Sequence, residues 1–204
     1  MDTFKDFLAE QSAPHLFIWD IDETLFQTNA RIYVVKNGKR IKSLSNTEYN
    51  TYKFKKGEQP DFTEFRRSDI FHDTSKPIMP ALRVAAKILK TTLNNPGSKM
   101  IIVTARGDFD DKNLFLKTFE KYGLNMKNIY VERSGKLNLP TAEGKRVTIK
   151  KYLDTGGYKF ATLFDDADSN LVMFKNLSRE YPDIRFTAYK ANHGDLTKVW
   201  YANL

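Results

Sequence analysis

An apolar run, Leu16-Phe17-Ile18-Trp19, leads without a break into Asp20-Ile21-Asp22-Glu23-Thr24. Such a run reads as a strand covered on both faces, the kind found in parallel sheets. Asp20 and Asp22 then fall where strand gives way to loop. Two carboxylates one residue apart repel, so a site that keeps both supplies a cation or a shared proton. The structural alternative is a turn or helix cap, roles in which Asp is common.

Regular alternation of apolar runs and helical spacing resumes after Pro77. Residues 78–93 carry Ile78, Leu82, Ala85, Ala86 and Leu89 at helical spacing, and Asn94-Asn95-Pro96-Gly97 stops them. Met100-Ile-Ile-Val103 is a second buried strand, running into Thr104-Ala105-Arg106-Gly107. A helix over 110–122 follows, then a strand at 129–131, a Gly- and Pro-marked loop at 134–144 and a short helix at 146–153. Residues 159–164 make a fourth strand, ending in Asp165-Asp166. A helix over 169–181 and a fifth strand at 184–189 complete the pattern, with 195–204 as a last helical turn or two. At the other end, residues 3–11 read as a short helix. Strands alternating with helices predict an α/β chain, with a doubly wound, Rossmann-like parallel sheet of about five strands. Ligands of such sheets sit beyond the carboxyl ends of the strands, the edge that would carry Asp20, Asp22, Thr104, Asp165 and Asp166.

Residues 27–75 break this rhythm. Asn37-Gly38 lies between two β-rich runs, a strong hairpin signal. An aromatic-dotted stretch follows, through Tyr49, Tyr52, Phe54, Phe62, Phe65 and Phe71. The division expected is a core of 1–26 and 76–204, with 27–75 as an inserted cap containing the hairpin.

The chain has 204 residues, 41% hydrophobic, which is enough for one packed domain plus an insertion. It contains no cysteine, so thiolate metal sites and any disulfide-linked partner are excluded. The acidic N-terminus lacks the order of a signal peptide, and no apolar run approaches the roughly 20 residues of a membrane span. A cytoplasmic protein with no membrane partner is expected. The sequence leaves the oligomeric state open.

Four signals occur in one order: Asp20-x-Asp22-x-Thr24, Thr104 closing a strand, Lys145-Arg146 at a helix start, and Asp165-Asp166 closing another strand. This order resembles the four motifs of the haloacid dehalogenase (HAD) superfamily, over a core from about 15 to 190. The resemblance implies a phosphatase. Asp20 would be the nucleophile, and Asp22 the acid and base that also offers its backbone carbonyl to the metal. Thr104 and Lys145 would hold the phosphoryl oxygens, and Asp20, Asp22, Asp165 and Asp166 would bind Mg²⁺. Lys150 and Lys151 are rivals to Lys145. Asp165 is preferred to Asp166 as direct ligand. Thr24 would brace the loop near the substrate. Arg106 would stand at the edge of the site, either touching substrate or making a surface salt bridge. Asp168 or Ser169 is expected to cap a helix, and Asp108, Asp110 and Asp111 to favour a helix start. His15, His72 and His193 have no partner spacing and receive no role.

The expected partner is a phosphorylated substrate. In the HAD superfamily, insertions between the first two motifs cover the site and choose what enters. The net charge of +8 is concentrated there: residues 36–56 carry seven Lys/Arg against one Asp/Glu. Bases among aromatics suit a nucleotide or nucleic acid, and the alternative is a small aromatic core with solubilising lysines. The layout from Ile101 to Asp166 is also similar to uncharacterised HAD-like phage proteins and to the phosphatase domain of phage polynucleotide kinase-phosphatases, which implies a 3′-phosphate substrate. A phosphatase for a sugar phosphate or other small metabolite is the alternative. Receiver domains use similar residues in a different order, and a nucleic-acid-binding protein on a HAD core would have little use for four intact carboxylates.

Overall fold

The computed structural model describes residues 13–202. The helix expected over 3–11 lies outside them. His15–Trp19 forms strand β1, with every residue buried. The chain continues through β2 (Phe26–Gln27), β3 (Ile32–Lys36), β4 (Lys39–Leu44), β5 (Glu58–Asp61) and β6 (Lys76–Pro77). Then come β7 (Lys99–Thr104), β8 (Tyr130–Arg133), β9 (Phe160–Asp165), β10 (Arg185–Asn192) and β11 (Asp195–Ala202). The main sheet runs β11-β10-β9-β1-β7-β8. Its β1 pairs in parallel with β7 on one side and β9 on the other, and only β11 runs antiparallel to its neighbour.

Alternation along β1 divides the core. Phe17 and Trp19 face a layer with Met100, Ile102 and Phe164, covered by the helices Met79–Asn94 and Lys112–Lys121. Leu16 and Ile18 face the other layer with Ile101, Val103 and Leu163, covered by Thr141–Gly156 and Asp168–Leu177. A mostly parallel sheet of six strands with helices on both faces is compatible with a doubly wound, Rossmann-like fold. Chain order reverses at β1, so a crevice opens beyond its carboxyl end, where Asp20 stands.

Three sequence expectations need correction. The described part of the tail expected to be helical, Asp195–Ala202, is strand β11, which makes six strands in the main sheet where about five were expected. His193 and Gly194 both have positive φ, 48° and 103°, and turn the chain straight back along β10. Second, the helix expected at 146–153 is longer, Thr141–Gly156, and starts directly after Pro140. Lys145 therefore lies inside it rather than opening it. Gly144 argued against a helix by propensity, yet a Cβ there would come within 3.2 Å of the Ser134 carbonyl. Close packing, which only tertiary structure reveals, selects that glycine. Third, neither Asp168 nor Ser169 caps the next helix. Its N-cap is Ala167, with no side-chain bond, and Asp168 instead accepts from Lys190 at 2.6 Å.

The segment between β2 and β6 has its own architecture. Asn37 and Gly38, at φ 51° and 73°, turn β3 into β4, and β5 completes a three-stranded sheet. Ala30, Ile32, Val34, Leu44 and Phe65 form a small core there, against which Tyr49, Tyr52 and Phe54 pack. The aromatics that suggested stacked bases, Tyr49, Tyr52 and Phe54, are therefore partly buried against that core. The two ends of the segment meet where β2 pairs with β6. Its second half is built into the main body: Phe71 packs with Phe115 and Phe119, and the Ser68 amide donates to Asp110 at 2.8 Å. His72 Nδ1 meets the Thr118 hydroxyl at 2.9 Å. No helix of the described residues is long and apolar enough to cross a membrane.

At the opposite edge of the sheet, His15 is buried, stacked on Phe17 at 3.8 Å, with Nε2 2.8 Å from the Thr162 hydroxyl. Burial depresses its pKa from 6.5 to about 3. The folded imidazole stays neutral while the unfolded one takes a proton below pH 6.5. Stability from this group is thus complete above pH 6.5 and declines as pH falls toward 3. At pH 5 the loss is about 2 kcal/mol. Urea midpoints at pH 7 and pH 5 should fall further apart for the wild type than for His15→Phe. Equal pH shifts in the two proteins would refute the assignment.

Candidate active site

β1 delivers Asp20 to the crevice, where its amide donates to the Phe164 carbonyl of β9 at 3.0 Å. The chain then folds back tightly: the amides of Leu25 and Phe26 both donate to the Ile21 carbonyl, at 2.9 and 3.0 Å, and Glu23 takes φ 61°. This turn places Asp20 and Asp22 on different partners.

Lys145 is the partner of Asp20. Its Nζ lies 2.7 Å from Asp20 Oδ1 and 2.8 Å from Asp165 Oδ2, and the residue is 1% exposed. A helix one turn old at Lys145 reaches across the sheet because Gly144 lets it close on the Ser134 loop. Lys150, its rival, instead pairs at the surface with Glu180, and Lys151 is exposed. Asp165 is wholly buried, and Asn170 Nδ2 and the Ala167 amide also donate to it. Asp166 is half-buried and lines the cavity above; Asp165 does not.

Oxygens of Asp20, Asp165 and Asp166 lie within 4.8 Å of one another. Burial raises the Asp20 pKa; Lys145 opposes the rise, and Asp165 and Asp166 add to it. Burial, then Asp165 beside it, pushes Asp166 up to about 7. Burial would also lower Lys145, but Asp165 and Asp20 outweigh it and hold the ammonium charged. With all groups ionised, three carboxylates and one ammonium leave a formal charge of −2 in a buried crevice. A divalent cation with oxygen preference matches that imbalance. The buried Asn170 Oδ1, which has no hydrogen-bond partner among the described residues, adds another oxygen beside it.

Asp22 is held differently. Arg106 Nε donates to its Oδ2 at 3.0 Å and Nη2 to its Oδ1 at 2.6 Å. Arg106 is 2% exposed, so this is a buried ion pair and not a surface salt bridge, and the residue lines the cavity. The same guanidinium donates to the Phe65 carbonyl and the Thr28 hydroxyl, and lies 4.9 and 4.6 Å from the Phe65 and Phe71 ring centres. Thr104 is fully buried, and its hydroxyl accepts from the Arg106 amide at 3.2 Å; Ala105 lines the cavity and Thr104, expected to hold phosphoryl oxygens, does not. Thr24 is also fully buried, away from the cavity, and its Oγ1 has no hydrogen-bond partner among the described residues. Asp111 caps its helix by accepting from the Leu114 amide at 2.9 Å, whereas Asp108 pairs with Arg133 and Lys136.

Asp20, Asp22, Arg106, Lys145 and Asp166 form the floor of a cavity of about 690 Å³. Its walls include residues that sequence reasoning did not place at the site. Ser134, Gly135 and Lys136 come from a short 3₁₀ turn, Ser134–Leu137. A Cβ on Gly135 would lie 2.2 Å from the Ala105 carbonyl, so glycine is required for this loop to touch the end of β7. The Ser-Gly pair read only as a loop signal. Tyr49, Phe62 and Arg66 enter from the inserted segment. Its lysine-rich stretch does not: none of Lys36, Lys39, Arg40, Lys42, Lys53, Lys55 or Lys56 lines the cavity.

No family model matches the chain, and no curated protein matches it.

Proposed function

We propose that the chain is a divalent-metal-dependent phosphomonoesterase of the HAD superfamily, acting through an aspartyl-phosphate on Asp20. The observation that carries this reading is Lys145 lodged between Asp20 and Asp165, with Asp166 alongside, on the floor of the cavity. A structural ion pair needs neither the third carboxylate nor the open space above it. Asp20, Asp165 and Asp166 would hold Mg²⁺, with Asn170 close by, and the ion would neutralise charge on the phosphoryl group.

The residues then take defined parts. The Asp20 carboxylate attacks phosphorus and the ester P–O bond breaks. The departing oxygen takes its proton from Asp22. Water next attacks the phosphorus of the aspartyl-phosphate, Asp22 accepts a proton, and inorganic phosphate leaves as Asp20 is restored. Both Asp22 oxygens are engaged by Arg106 at rest, so Arg106 must yield at least one for either transfer. Lys145 keeps a positive charge where phosphoryl oxygens arrive.

The inserted segment acts as the cap in this reading, because Tyr49, Phe62, Phe65 and Arg66 wall the cavity. A nucleotide or nucleic-acid 3′-phosphate is the favoured substrate. A sugar phosphate or another small metabolite is the second reading, supported by the position of the cap's lysines away from the cavity. Phosphate release from an aryl phosphate, nucleoside monophosphates, ribose 5-phosphate and a 3′-phosphorylated oligonucleotide tests both. Release with Mg²⁺ that EDTA abolishes is expected. No release from any of them, with the protein folded and Mg²⁺ bound, would end the enzymatic reading.

A further inference from the structure

Phe62 stands apart from the neighbouring aromatics of the inserted segment. Phe65 belongs to its small core and Tyr49, Tyr52 and Phe54 pack against it; Tyr49 and Phe65 also reach the cavity, but Phe62 lines it with 39% of its surface exposed and belongs to neither group. Two neighbouring rings hold it in place. Its ring meets Tyr49 edge-on at 5.3 Å and Phe65 at 6.4 Å, with interplanar angles of 77° and 81°. Phe65 in turn lies against Arg106, which holds Asp22. An aromatic path thus leads from the Asp22–Arg106 pair to an exposed ring in the cavity lining.

Leu139, 43% exposed, Pro140 and Ile32 add apolar surface to the lining, beside the polar side chains of Asn46, Arg66, Lys136, Asn138 and Thr141. The cavity, at about 690 Å³, falls within the range of pockets that enclose a whole small ligand. A phosphoryl group fills only its floor. A sugar would use those polar side chains and leave the exposed ring of Phe62 unused. A planar heteroaromatic ring would instead stack on Phe62 with its edges open to water.

We infer that Phe62, backed by Tyr49, is a stacking subsite for the base of a nucleotide whose phosphate lies on the Asp20–Lys145 floor. This inference rests on the phosphatase reading and narrows its substrate to phosphate esters that carry a nucleobase. The ring acts on binding and not on the chemical step.

Steady-state constants for a nucleoside 3′-monophosphate and for ribose 5-phosphate test it, in wild type, Phe62→Ala and Phe62→Trp. Phe62→Ala should raise KM for the nucleotide about tenfold and leave kcat near wild type. Constants for ribose 5-phosphate should be unchanged, and Phe62→Trp should keep the nucleotide KM. An unmoved nucleotide KM in Phe62→Ala, or equal losses on both substrates, overturns the subsite while leaving the phosphatase reading intact. Calorimetric binding of the same nucleotide gives a separate readout if no phosphate is released. Weakening by Phe62→Ala would then support the subsite without the enzyme, and absence of binding to the wild type would overturn it.

Discussion

Asp20→Asn should reduce phosphate release by about 10⁴-fold or more, with little change in the unfolding midpoint. The amide keeps the size of the carboxylate but cannot attack phosphorus. Its carbonyl oxygen would still be available to Lys145, whose second partner, Asp165 at 2.8 Å, remains. Burial already disfavours charge on Asp20, so a neutral replacement adds little strain. The measurement is kcat on the best substrate of the panel, alongside urea unfolding of both proteins. Activity within tenfold of wild type would remove Asp20 from the nucleophile's role. A large fall in stability would show instead that the carboxylate is mainly a structural partner.

Lys145→Met should destabilise the metal-free protein by about 3–5 kcal/mol at pH 7, the usual consequence of stripping the counter-charge from a buried carboxylate. Methionine keeps most of the apolar stem, so the loss reports charge more than packing. Its pH dependence follows from the raised pKa values of Asp20 and Asp166. For an acid raised in the folded state, protonation favours the fold, and stability grows as pH falls through the folded pKa toward the unfolded one. Lys145 lowers both of these pKa values, so without it both acids take up protons at higher pH, and the destabilisation should be smaller at pH 7 than at pH 9. Added Mg²⁺ should also restore part of the loss, because an ion bound only by the fold stabilises it. Denaturation at pH 9 and pH 7, with Mg²⁺ and with EDTA, measures all three effects. A loss under about 1 kcal/mol, indifferent to pH and metal, would mean that the cluster carries no excess charge.

Much of this site was legible because its residues sit next to clear strands. Asp20, Thr104 and Asp165 each end an apolar run, and local pattern alone locates such positions. Lys145 was identified by its place before β9, although the helix around it was drawn too short. Contacts between distant parts of the chain were not legible. Arg106 pairs with Asp22 across 84 residues, and no local feature separates that arginine from a surface one. Phe62 is one of six aromatics between Tyr49 and Phe71, and only packing shows that most of the others are used internally. Strand β11 was misread because its strand character depends on a turn at His193-Gly194 and on a neighbour to pair with. The lysine-rich stretch left two readings open, and only packing chose between them: Tyr49, Tyr52 and Phe54 pack against a small core, and the lysines lie off the cavity.

One guanidinium has two sets of partners in this fold. Arg106 binds the carboxylate of Asp22 and, through the Phe65 carbonyl and the Thr28 hydroxyl, the inserted segment. The segment and the acid are therefore thermodynamically linked, and linkage is reciprocal. A ligand that shifts Phe65 must alter the hold on Asp22, and whatever draws the Asp22 carboxylate away must loosen the segment by the same free energy. In the proposed phosphatase, occupancy of the cavity and readiness of Asp22 would become one variable, with a single arginine as the coupling between them.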